Sequence, residues 1–60
     1  MQYKIGKVIN YDGISGEIIA IDNKYFFLKE DTKEEIKNED LVKFREEQRK
    51  DKRVFFIEKI

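Results

Sequence analysis

The side chains that carry most covalent chemistry are missing from this sequence: its 60 residues include neither His nor Cys, and Ser15 is its one serine. An imidazole base, a thiolate nucleophile and the soft metal ligands are therefore excluded together. The three glycines, Gly6, Gly13 and Gly16, do not form a phosphate-cradling loop. Neither an enzyme nor a cofactor is expected. The acid pairs Glu30-Asp31, Glu34-Glu35 and Glu39-Asp40 can approach a hard cation. Their alternation with Lys33 and Lys37 describes a solvated face more simply, so no metal site is predicted.

What remains is cationic and aromatic. Arg49, Lys50, Lys52 and Arg53 surround a single Asp51, and four cations on one loop can neutralise phosphates with salt-dependent, sequence-independent affinity. The plainer reading is a charged hairpin tip that stays wet, since Glu46 and Glu47 adjoin it. Lys7 and Lys24 join the cluster if the chain closes on itself. Tyr11 and Phe26 are the aromatic candidates for base stacking.

These side chains must be positioned by strands. Along residues 1–11, Tyr3, Ile5, Ile9 and Tyr11 lie on one parity and Lys4, Gly6, Val8 and Asn10 on the other, the pattern of a pleated segment with one wetter face. Val8 breaks the alternation, and Gly6 permits a coil that buries it. Asp12-Gly13, with Gly16 three further on, is the strongest turn signal and implies a hairpin; both glycines take positive φ cheaply. Ile18, Ile19 and Ile21 favour a second strand. After Asp22-Asn23, residues 24–28 form a third, too apolar for one buried face.

Residues 29–40 are polar apart from Ile36, and Thr32 with Glu35 has capping-box spacing, so a loop or one or two helical turns is expected. Residues 41–44 and 54–57 are the last two strands. The competing assignment is one helix over 34–50, which is rich in helix formers. The helical neighbours following Ile36 are Glu39 and Asp40 and those following Phe44 are Glu47 and Gln48, so no continuous apolar stripe forms. Five short strands, with the longest connection between the third and fourth, predict an all-β, five-stranded OB-fold-like Greek-key barrel over residues 1–60.

Thirteen basic and thirteen acidic residues cancel, so global charge points to no polyanionic partner. The 40% hydrophobic content, with five Phe and three Tyr, still supplies a core. Without cysteine a reducing compartment fits. No run reaches the roughly 18 apolar residues that cross a bilayer, and the opening Met1, Gln2, Tyr3, Lys4 has no signal-peptide core. A cytoplasmic protein without membrane partners is expected.

Gly6-Lys7-Val8, then Asn10-Tyr11, Gly16 and a β-branched strand, resembles the opening of bacterial cold-shock proteins. That family begins Gly-Lys-Val-Lys-Trp-Phe-Asn and continues into Lys-Gly-Phe-Gly-Phe-Ile, with no gap needed between Gly6 and Ala20. Tyr25-Phe26-Phe27-Leu28 is similar to the family's Val-Phe-Val-His-Phe, Leu41-Val42-Lys43-Phe44 to its fourth strand, and residues 54–57 to its last. The resemblance spans nearly the whole chain and implies an OB barrel that binds single-stranded RNA or DNA. The stacking platform is depleted, however. The family's Trp falls on Asn10, two Phe on Glu17 and Ile19, and a His and a Phe on Leu28 and Lys29. Tyr11 and Phe26 alone keep an aromatic. At roughly 1–3 kcal/mol per stacked base, such losses weaken binding severely.

The leading expectation is a weak, sequence-tolerant nucleic-acid-binding module acting through Lys7, Tyr11, Lys24, Phe26, Arg49, Lys50, Lys52 and Arg53. The alternative is a protein-interaction or homodimerisation module on a barrel that has lost base stacking. Phe26, Ile19 and Leu28 share a parity, and can form a base-binding patch, a protein contact, or part of the core if the register shifts by one to expose Tyr25 and Phe27. Phe44, Phe55, Phe56 and Val54 read as structural, with Phe55 and Phe56 unable both to point inward.

Overall fold

The computed structural model describes residues 3–46 and 52–60. Its strands are β1 (Tyr3–Ile9), β2 (Ser15–Ala20), β3 (Lys24–Leu28), β4 (Leu41–Glu46) and β5 (Val54–Lys59), with a 3-10 turn at Lys29–Asp31. They form one sheet in the order β3-β2-β1-β4-β5, every neighbouring pair antiparallel. The sheet then curls until its two edges meet. Phe26 of β3 and Arg53, just before β5, form a parallel bridge, and the Phe26 N–H donates to the Lys52 carbonyl at 3.1 Å. This is the OB-like, partly open Greek-key barrel, and β4 occupies the region that a helix over 34–50 would have claimed.

Gly6 makes the curl feasible. It is buried and sits opposite Ala20 of β2 and Val42 of β4, and a Cβ there would lie 2.5 Å from the Ile18 Cγ2 and 2.7 Å from the Ile19 carbonyl oxygen. The consequence for β1 corrects the parity reading. Gly6 and Val8 face inward, while Tyr3 and Ile5 stand on the outer surface at 51% and 60% exposure. Val8 is buried as the bend at Gly6 implies, and the inward parity is the less apolar one because Gly6, the residue that lets the strands approach, contributes no hydrophobic side chain of its own.

Val8, Ile18, Tyr25, Phe27, Ile36, Val42, Phe44, Val54 and Ile57 form the core. On β3 the inward pair is Tyr25 and Phe27, so the register-shifted packing does not occur. On β5 the register against β4 slips by one residue between Lys43 and Arg45. The bulge lets both Val54 and Ile57 reach the interior, and it leaves Phe56 at φ 57 with its ring 45% exposed.

Residues 29–40 close one end of the barrel. Ile36 is its apolar plug, at 4% exposure. Asn38 clasps the end of β1, accepting from the Tyr11 N–H at 2.7 Å and donating to the Tyr11 carbonyl at 3.0 Å. No helix starts at Thr32, contrary to its capping-box spacing. Thr32 instead ends the 3-10 turn, its hydroxyl donating to the Lys29 carbonyl at 2.7 Å, and Asp31 performs the local capping by accepting from the Leu28 N–H at 2.9 Å.

Candidate functional site

The outer face of β1, β2 and β3 gathers part of the expected constellation. Ile19 pairs with Lys7 on one side and Lys24 on the other, so the three form a row across the strands. Strand spacing puts the two lysines roughly 10 Å apart. In the next row Glu17 lies between Phe26 and Ile9. Ile19 is 50% exposed, while Phe26 and Leu28 are half-buried. The turn that sets this face is held by Asp12, whose Oδ1 accepts from the Ile14 and Ser15 N–H groups, each at 2.9 Å. These two bonds hold the Asp12 carboxyl below its usual range. Gly13 takes the left-handed φ of 93 in the turn, whereas Gly16 serves β2 by allowing Tyr11 and Phe27 to pack closely over it.

The lysines do not stand alone. The Lys24 ammonium lies 3.5 Å from Glu17 and the Lys7 ammonium 3.2 Å from Glu39, all four side chains being at least one-third exposed. Glu17 also accepts from Asn10 at 3.0 Å, and this bond, followed by Lys24, keeps its carboxyl below the ordinary range. Exposed pairs of this kind contribute about 0–1 kcal/mol, so a phosphate can compete for either lysine.

Two expected residues are used elsewhere. Tyr11 follows Asn10, whose left-handed φ of 53 breaks the strand alternation. The tyrosine ring turns onto Phe27, with centroids 5.0 Å apart, and borders a groove of about 550 Å³ shared with Lys29, Lys33 and Ile36. It is half-buried and off the Phe26 face. Arg53 forks onto Asp31, with Nε at 2.9 Å from Oδ2 and an Nη at 2.9 Å from Oδ1, and reaches Glu30 at 3.1 Å. The Asp31 side chain is 4% exposed, so this guanidinium clamps the 3-10 turn to β5. Its pKa is raised, by Asp31 first. Lys52 is exposed, beside the β3–β5 junction. Arg49 and Lys50 lie outside the described residues.

Sequence reasoning missed a polar cluster at the opposite barrel end. Lys4 contacts Asp22, lies 2.7 Å from Glu46 and donates to the Tyr25 hydroxyl at 3.0 Å. That hydroxyl is 2.9 Å from Asp22 and 3.1 Å from Glu46. Lys4 is the leading cause that lowers both carboxyl pKa values, whereas burial raises the Tyr25 phenol. The cluster satisfies the one polar atom on a buried ring. Lys4 stands 18 residues from Asp22 and 21 from Tyr25, and Tyr25 stands 21 from Glu46, so the pairing of β1 with β2 and β4, and of β2 with β3, brings them together.

Comparison with family models, curated proteins and solved structures finds no match. Among the described residues, no helix is long and apolar enough to cross a membrane, and no group of three or more Asp or Glu residues is arranged to hold a metal ion.

Proposed function

We propose that this chain is a cytoplasmic binding module, cold-shock-like in its OB barrel, that takes single-stranded RNA or DNA weakly and with little sequence preference. The supporting observation is the Lys24–Ile19–Lys7 row with Phe26 beside it on one outer face. Two cations can hold successive phosphates while Phe26 supplies a stacking ring and Ile19 an apolar contact. Phe26, in the adjoining row, is the one ring beside these lysines among the described residues, and Glu17 and Glu39 compete for them. Affinity is accordingly set near the millimolar end, where one or two stacked bases at roughly 1–3 kcal/mol each leave it. Lys52 adds charge where β5 meets Phe26.

The test is a titration of fluorescently labelled oligo-dT and oligo-U at low and moderate salt. Saturable binding with a shallow salt slope, weakened by Phe26→Ala and by Lys7→Glu with Lys24→Glu, is the expected result. An unchanged signal at low salt, or binding indifferent to these three substitutions, would refute the assignment.

A further inference from the structure

The same barrel carries a second exposed surface that nucleic acid does not explain. Ile5 is 60% exposed, Ile21 is fully exposed at 104%, Leu41 is 58% and Tyr3 51%. Tyr3, Ile5, Ala20 and Ile21, with Lys4 and Asp22 beside them, line a groove of about 460 Å³. Leu41 on β4 stands diagonally across from Ile5, since Ile5 pairs with Lys43 and Lys7 with Leu41. The surface is mainly aliphatic, with Tyr3 its one ring among the described residues, and it runs from the end of β2 across β1 to β4, apart from Phe26 on β3.

We infer that this surface is the interface of a homodimer, covered by the same groove of a second copy. Area and charge both support that occupant. Taking about 200 Å² for a fully exposed large side chain, the patch offers on the order of 500–600 Å² on one protomer. Two copies face to face then bury about 1,000–1,200 Å², the lower edge of what a specific interface requires, and a patch of this size stands at the top of the range a typical monomer exposes. The rim is mixed in sign: Lys4 with Asp22, Lys7 with Glu39, and Lys43 with Glu58 at 3.1 Å. It presents no single-sign field to a strongly charged partner. A rim that carries both signs permits self-complementary pairing about a two-fold axis, and the formal net charge of zero removes any overall repulsion between copies.

The interface does not rest on the nucleic-acid reading and can be tested without an oligonucleotide. Sedimentation of the full chain over a range from low micromolar to near millimolar should show the weight-average mass rising toward twice the monomer value. Ile5→Glu should hold the protein at monomer mass throughout. Ile21→Asp should do the same, and because that side chain is wholly exposed its fold is retained, which circular dichroism verifies. Phe26→Ala, outside the patch, should dimerise like the parent chain. A parent chain that stays monomeric to the highest concentration, or folded Ile5→Glu and Ile21→Asp variants that associate as strongly as the parent, would overturn the inference.

Discussion

Adding one methyl group at Gly6 tests the barrel's construction most sharply. A Cβ at that position meets the Ile18 Cγ2 at 2.5 Å and the Ile19 carbonyl oxygen at 2.7 Å. Ile18 is fully buried, and the carbonyl belongs to the paired strand, so neither can retreat without separating β1 from β2. Overpacking of this sort costs about 1–3 kcal/mol, and the backbone contact puts Gly6→Ala at the upper end. The smaller entropy of the unfolded alanine chain returns about 0.4–1 kcal/mol, leaving a net loss of about 2 kcal/mol. A 60-residue domain at about 0.05–0.15 kcal/mol per residue has roughly 3–9 kcal/mol in all, so the loss is a large fraction. In urea, with m near 1 kcal/mol/M for so small a protein, the midpoint should fall by about 2 M when followed by circular dichroism. Gly13→Ala is the matched control: nothing lies within 4 Å of its Cβ, but its φ is 93, and the left-handed penalty is about 1–2 kcal/mol. Equal stability of Gly6→Ala and the parent chain, or a larger loss for Gly13→Ala, would refute the close approach as the origin of the curl.

Three further outcomes are expected. At Phe56, whose φ is 57, Phe56→Gly should be more stable than Phe56→Ala by about 1 kcal/mol in thermal unfolding, since both lose the ring and only glycine relieves the backbone. Asp31→Ala should lower the urea midpoint far more than Glu30→Ala, because the two carboxylates share Arg53 but their side chains are 4% and 74% exposed. The carboxyls of Asp22, Glu46 and Glu58 are held below their ordinary values in the folded state, so the stability they contribute is present above the unfolded carboxyl range near pH 4 and is lost as pH falls through the lower folded values. Lys4→Met, which removes the leading cause at Asp22 and Glu46, should flatten that acid-side decline in a pH series of urea midpoints.

The strand count and the turn at Asp12-Gly13 were legible because each leaves a local signal, alternation or a turn dipeptide, whereas the facing of β3 stayed open because both parities of residues 24–28 are apolar and only the pairing with β2 turns Tyr25 and Phe27 inward. The facing of β1 was not legible either, since Gly6 acts by what it lacks. Tyr11 left the outer face through one left-handed residue, Asn10, that no periodicity records. Arg53 appeared as part of a basic loop because its partner Asp31 stands 22 residues earlier and becomes its neighbour only when β5 closes against the 3-10 turn. Ile36 looked like a stray aliphatic in a polar loop, yet it seals the barrel end. Local chemistry was thus readable, while contacts made by barrel closure were not. Of the proposed ligand surface, Lys7, Lys24 and Phe26 come together on one face, and the exposed set around Ile5 was hidden by the parity that suggested burial.

The account turns on whether the β1–β2–β3 exterior receives a nucleic-acid strand, and residue-resolved proton–nitrogen NMR during addition of unlabelled oligo-dT measures this directly. Progressive shifts concentrated at Lys7, Ile19, Lys24 and Phe26, with Ile36 and Asn38 little affected, are expected. Shifts confined to the Tyr11–Lys33 groove, or none at near-millimolar oligonucleotide, would contradict it.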